Sequence, residues 1–431
     1  MNTKANTKSH LPLLIAVILP LFTGYGGNLV NIITMIEIAV SIYYMNDDDF
    51  FLLSPVFIIY YSQLLLIGDR IGGFNIYMWL CCIKLFWQRY VMKQTIRPIA
   101  GMAVLLLYAS LVMLVWQGLW NGINYATISL GIVYVAVSLR NDRELKRRFQ
   151  TVVVAMCLSA AIYGILFVNI KGIYEQTNGL VYYSGRYCGT ASDPNYMAFY
   201  YCISVVYIVF SKKIGNLLKC VLVAAFFFAT AITGSLTALL TILATFVLYL
   251  FWGEKGNLKK RAAAIILTLS AGVFLYLALF TDTFEIAYLA VFKARIAEKI
   301  SFLQSGDLSA VTSGRTEYSG EYIHYLFEQN LLHMLFGGYQ LNALGLAGEA
   351  YEQIRFAAHN TYVDVLMTCG IVGLGIFIYR ILSGIYSGYH LWRLQHNEQG
   401  LADAVLLMIA AIFIAGLSCF PSASYMLFLM L

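Results

Sequence analysis

Apolar runs of membrane-crossing length, separated by short polar breaks, recur along most of this chain. A helix needs about 20 apolar residues to cross the hydrocarbon of a bilayer. Runs approaching that length lie at 11–25, 28–45, 50–67, 71–88, 97–116, 122–139, 150–168, 194–210, 215–233, 235–252, 262–281, 360–380 and 401–419. Some are short or closely spaced, so the pattern predicts roughly 12 to 14 crossings. The first run follows MNTKANTKSH and resembles a signal sequence, but no small-residue cleavage site comes after it. It reads as a retained first membrane helix.

The breaks alternate in charge. Arg89/Lys93/Arg97, Arg140/Arg143/Lys146/Arg147/Arg148, Lys212/Lys213/Lys219 and Lys255/Lys259/Lys260/Arg261 fall on one side, together with Lys4, Lys8 and Arg393. Basic loops stay cytoplasmic. The acidic residues Asp47 to Asp49 fall inside too, and acids count little in this rule. The opposite side carries the two longest loops, about 169–193 and 282–358. Within the second, Phe284–Leu303 and Tyr318–Phe336 have the spacing of amphipathic helices lying on the membrane surface, and Gly337-Gly338 ends the latter. No repeat or composition shift divides the chain, so residues 1–431 read as a single integral membrane domain.

Composition agrees. Of 431 residues, 60% are hydrophobic and 12% charged, against roughly 25% charged in soluble domains. The eight cysteines form no CxxC and no Cys/His cluster, so neither a disulfide framework nor a zinc site is indicated. The fold class expected is an all-α polytopic membrane protein with a long extracytoplasmic loop.

Polar residues on the outer side concentrate in three places: Arg186-Tyr-Cys-Gly189 with Asp193-Pro194-Asn195, then Ser313-Gly314-Arg315, then His359-Asn360. All three sit at outer membrane borders, a placement that lets them converge. Arginine suits phosphate because its planar fork gives bidentate, permanently charged hydrogen bonds. Two arginines suffice to hold a pyrophosphate without a metal ion. Histidine accepts protons near neutral pH. Taken singly, each signal is ordinary: a loop arginine, a turn glycine, a helix-start histidine or asparagine. Asp364 and Glu37 lie in apolar runs, where a charge is expensive. His324, His333, Glu317 and Glu321 are rival bases in the long loop.

The order of these blocks is informative. RYCGT…DPN, then Thr233-Gly234-Ser235, then SGR, then Leu335–Tyr339 (LFGGY), then HNTYVDVLMTCGIVG at 359–373 resembles the O-antigen ligase and O-antigen polymerase superfamily. The resemblance covers about 180–380, and Leu236 stands where many members carry an arginine. It implies a GT-C-like membrane glycosyltransferase of the bacterial cytoplasmic membrane, multi-pass, with its active site on the extracytoplasmic side. The donor implied is an oligosaccharide linked to undecaprenyl pyrophosphate. Arg186 and Arg315 are then the pyrophosphate ligands and His359 the base that activates the acceptor hydroxyl. Asn195 and Asn360 are the adjoining substrate-binding candidates. The reaction expected is metal-independent, inverting and free of cofactors.

Three functions fit such a chain: a repeat-unit polymerase making capsule, exopolysaccharide or O-antigen, a ligase moving finished glycan to another acceptor, and a lipid-linked oligosaccharide flippase. A flippase should show internal repeats or charges spread through its spans, whereas here the ionisable candidates gather in outer loops. The polymerase is preferred, with membrane lipid, a flippase and a chain-length regulator as expected partners. The topology is testable by itself. In a background lacking reactive cysteines, Ser305→Cys should react with an impermeant thiol reagent on whole cells and Lys259→Cys should not. The reverse pattern would invert the orientation.

Overall fold

The computed structural model describes residues 10–22, 32, 36, 40, 47–59, 65–67, 71–91, 102–167, 182–183, 186–191, 193–249, 287–342, 345–346, 354, 356–395 and 398–417. The expected span at 262–281, the basic loop at 253–261, Glu37 and most of the 169–193 loop lie outside these residues. The described chain is helical, apart from three two-stranded antiparallel hairpins. In chain order the helices are α1 Leu11–Ile18, α2 Asp47–Leu52, α3 Ser54–Ile59, α4 Gly73–Phe86, α5 Met102–Gln117, α6 Leu119–Asn141, α7 Arg143–Phe167 and α8 Pro194–Phe210. They continue as α9 Asn216–Thr233, α10 Leu236–Leu248, α11 Ala287–Ser305, α12 Leu308–Val311, α13 Arg315–Phe327, α14 Leu331–Phe336, α15 Thr361–Gln395 and α16 Glu398–Phe413.

Among the described residues, four segments are long and apolar enough to cross a membrane: Arg143–Leu166, Asn216–Thr233, Thr361–Gln395 and Gln399–Gly416. Their outward faces stay apolar, as Leu217 and Val221 on α9 and Leu382 on α15 show by their exposure. Such surfaces suit lipid rather than water. This is the architecture of an all-α membrane protein.

One expected span is divided. The run at 50–67 breaks into α2, α3 and a hairpin, Leu65–Ile67 with Ile71–Gly72. Pro55 explains the first break. It lacks an N–H and is tolerated only in the opening turn of a new helix. α5 and α6 are separated by Gly118 alone, at φ 84. The amphipathic stretch at 318–336 is two helices, α13 and α14. Asn330 caps the second by accepting from the His333 N–H at 3.1 Å.

The chain forms two compact units, Met1–Tyr77 with Asn141–Phe292, and Met78–Arg140 with Lys293–Leu431. In the first, α8 is the central helix. Its residues from Met197 to Val209 are all buried, and it packs against α7, α9 and α10. A helix apolar on every side belongs in such a position. Arg148, at the polar start of α7, bonds Asp49 of α2 at 3.2 Å.

In the second unit, α15 packs against α16, α5, α13 and α14. It is broken at Gly370 (φ 67, ψ −171). The break deprives carbonyls upstream of their usual i+4 donors, and other segments supply replacements. The Gly338 N–H donates to Thr368 O at 3.0 Å and the Tyr339 N–H to Met367 O at 3.2 Å. The Tyr108 hydroxyl of α5 donates to Cys369 O at 3.1 Å. Thus the Gly-Gly-Tyr of LFGGY is a strap across the kinked helix. The approach leaves no room for side chains. A Cβ on Gly370 would lie 2.3 Å from the Leu335 backbone, and one on Gly337 would lie 2.5 Å from Gly370 N. Gly370→Ala should therefore destabilise the protein by at least about 3 kcal/mol, through left-handed strain plus backbone overlap. Thermal unfolding in detergent checks this, and an unchanged midpoint would contradict the strap.

Candidate functional site

In the first unit, the candidate residues form one connected structure. A short hairpin pairs Tyr182–Tyr183 with Arg186–Tyr187. Tyr187 turns inward: its hydroxyl donates to Ala160 O at 2.6 Å, and its ring lies where a Cβ on Gly164 would fall. Beyond Gly189 (φ 58), Asp193 caps α8 by accepting from the Asn195 N–H at 2.7 Å, with Pro194 opening the helix.

Arg186 is 8% exposed. Its Nε donates to Thr233 O at 2.7 Å and an Nη donates to Asn195 Oδ1 at 2.9 Å. Thr233 is the last residue of α9, and Gly234 follows in the left-handed conformation. The last carbonyls of a helix lack intrahelical donors and carry the negative end of its dipole. A guanidinium there satisfies both. The blocks RYCGT, DPN and TGS are therefore in contact: the loop arginine, the helix-start asparagine that holds it, and the helix end that receives it.

In the second unit, Ser313 (φ 57) and Gly314 (φ 76) are consecutive left-handed residues immediately before α13. Lys299 holds this turn from α11. Its Nζ donates to Ala310 O at 2.6 Å and to Ser313 Oγ at 2.9 Å. The Gly314 N–H donates to Ser309 O at 2.8 Å, and Ser309 Oγ donates to Glu317 at 3.0 Å. Burial lowers the pKa of Lys299. Arg295 and Arg315 lower it further, against the opposing Glu298. An open cavity of about 520 Å³ lies beside the turn, lined by Arg295, Lys299, Asp307, Ser309, Ser313 and Glu317 among others.

Arg315 opens α13, where a cation opposes the dipole of its own helix. Its guanidinium lies instead against Gly416, in the 3-10 turn Ile414–Gly416 that ends α16. Thr361 donates from its hydroxyl to Leu417 O, the next residue along that turn. Arg315 and the segment His359–Thr361 thus rest on adjacent residues.

The two motifs are also joined by packing. Tyr318 stacks on Phe356 with ring centroids 5.1 Å apart, and the Tyr322 hydroxyl donates to Phe356 O at 2.8 Å. Burial raises the pKa of that hydroxyl, with Asp364 and Glu321 adding to the effect, so it remains a donor. Tyr322, Leu326, Ala358, Val363, Leu366 and Met367 share one buried cluster. Each large apolar side chain so buried contributes about 1.5–3 kcal/mol.

His359 is exposed, with φ 48, directly before the cap of α15. Asn360 is that cap: its Oδ1 accepts from the Tyr362 N–H at 3.0 Å. Among the described residues, Ser313 and His359 are the two non-glycine residues with positive φ. Such a conformation costs about 1–3 kcal/mol and persists where surrounding structure enforces it, often at functional sites.

Three of the rival bases are engaged by neighbouring side chains. His324 pairs with Glu328 on the surface at 3.2 Å. His333 packs against Trp116 and Tyr339, with centroids 4.1 and 5.3 Å away, and its burial lowers its pKa. Glu317 holds Ser309. Lys299, Phe356 and the 414–417 turn are contributors that no sequence motif marks. Together the second unit offers a guanidinium and an exposed histidine on packed elements, residue types able to hold an anion and accept a proton.

Fold and site define a helical membrane protein with a candidate polar site in each of its two units. The chain matches no protein-family model and no curated protein. Arg186→Lys should lower stability, because one ammonium cannot reproduce the fork that reaches both Thr233 O and Asn195. Losing one such charged contact costs about 1.5–3 kcal/mol. Detergent unfolding of Arg186→Lys beside Asn195→Ala measures it. A midpoint equal to wild type in both would show the contacts to be dispensable.

Proposed function

We propose that this chain is a membrane glycosyltransferase that polymerises oligosaccharide repeat units carried on a polyprenyl pyrophosphate such as undecaprenyl pyrophosphate. The observation that supports it best is the coupling of the SGR and HN blocks. The strained serine lies two residues before Arg315, and the strained histidine directly before Asn360. The helix begun by Arg315 packs on the segment that ends in His359.

In this reading Arg315 binds the donor pyrophosphate. As the bond from anomeric carbon to phosphate oxygen breaks, its electrons leave with the lipid pyrophosphate and negative charge grows there. A pre-placed cation stabilises that charge more in the transition state than in the ground state. His359 takes the proton from the acceptor hydroxyl as its oxygen bonds to the anomeric carbon from the opposite face, which inverts the configuration. Asn360 acts by capping α15 and so orienting His359. The share of Arg186 in donor binding rests on the sequence resemblance, with Asn195 as its holder.

A ligase would use the same donor chemistry on a different acceptor, and a flippase would need no base. One experiment separates the three. His359→Ala, expressed at wild-type level, should abolish long glycan and leave single lipid-linked repeat units on the outer face. Arg315→Lys should lower the polymerisation rate by about one to two decades, since a point charge replaces a bidentate fork. Long lipid-linked chains persisting in His359→Ala would transfer the assignment to a ligase. Repeat units trapped on the inner face would indicate a flippase. Normal polymer in both variants would remove this site from the chemistry.

A further inference from the structure

Gly416 has a specific relation to Arg315. It is not among the glycines with positive φ, so its backbone does not require glycine. A Cβ built on it would meet one side chain within 4 Å among the described residues, that of Arg315, with Nη1 at 2.9 Å and Cζ at 4.0 Å. Other described glycines differ. Gly337 and Gly370 are hemmed in by backbone, whereas Gly375 and Gly320 face open space. What sets position 416 apart is room for a guanidinium.

The first unit repeats the arrangement. At the end of α9, a Cβ on Gly234 would lie 3.2 Å from Nε of Arg186. There the left-handed backbone also calls for glycine, so space and conformation cannot be separated. At Gly416 they can. Each arginine of the sequence motifs therefore lies against a glycine at the C-terminal end of an apolar helix, where the helix dipole favours a cation.

We propose that Gly416 is a positioning residue for Arg315: the missing side chain lets the guanidinium lie on the last turn of α16, beside the residue that bonds Thr361. This rests on the proposed role of Arg315 in holding the donor pyrophosphate. It extends that role to a turn outside the region of family resemblance. The main alternative is a glycine that merely ends a helix. That alternative predicts no dependence on Arg315.

The collision at Gly416 involves the far end of a flexible side chain, so Gly416→Ala should fold normally while moving the guanidinium off the turn. Full-length protein in nanodiscs provides the test, with Gly375→Ala as the control. Two readouts are needed. The first is the rate of Arg315 modification by phenylglyoxal, mapped by peptide mass spectrometry. It should rise several-fold in Gly416→Ala and stay at the wild-type rate in Gly375→Ala. The second is binding of farnesyl pyrophosphate. It should weaken about tenfold in Gly416→Ala, the scale of one impaired charge-assisted contact. In an Arg315→Ala background the same change should have no further effect, because a residue acting through another is not additive with it.

An unchanged modification rate in Gly416→Ala would overturn the inference, as would an equal further loss of binding in the Arg315→Ala background. Equal binding by wild type and Arg315→Ala would instead overturn the donor assignment. In that event the modification rate still decides whether Gly416 sets the guanidinium.

Discussion

Carbonyls set loose at breaks in apolar helices govern this structure. In a hydrocarbon setting no water is present to satisfy them, and each one left open costs several kcal/mol. The kink at Gly370 exposes carbonyls in the middle of α15, and the strap at Gly338-Tyr339 answers two of them. That fixes α14, and with it the register in which α13 and the 356–360 segment meet α15. The end of α9 poses the same demand, met by Arg186. Motif residues that look like separate signals are donors and acceptors of the same bonds.

Strain follows from these attachments. Ser313 is held left-handed by Lys299 on one side and by the start of α13 on the other. His359 is held between the buried Ala358 and the cap at Asn360. Neither conformation would persist in a free loop, where either residue would relax to negative φ. The surrounding packing keeps an arginine and a histidine in set directions, which is what a site for charge stabilisation and proton transfer requires.

The arginines show how a single residue type carries two duties. Arg186 is buried and spends donors on Thr233 and Asn195; Arg315 is partly exposed and lies on a glycine. From sequence they look equivalent, each a basic residue in a polar loop beside a glycine. Burial distinguishes them: removing the first opens a buried network, whereas the second is only partly buried.

The apolar pattern determined by itself that the chain is helical and suited to a membrane, because run length and period are local properties of the residues. It located Pro194–Phe210 and Asn216–Thr233 almost to the residue, since Asp193-Pro194 and Thr233-Gly234 are local start and stop signals. It also singled out Arg186, Ser313-Gly314-Arg315 and His359-Asn360 as places of interest. Only the tertiary structure decided that Asn360 is a cap, that Asn195 holds Arg186, and that Lys299 holds Ser313. Nor could the run at 360–380 announce a kinked helix reaching Gln395, or Gly416 a contact with Arg315. These depend on which backbone atoms lie open where distant segments meet, and one residue's chemistry carries no record of its neighbours in space.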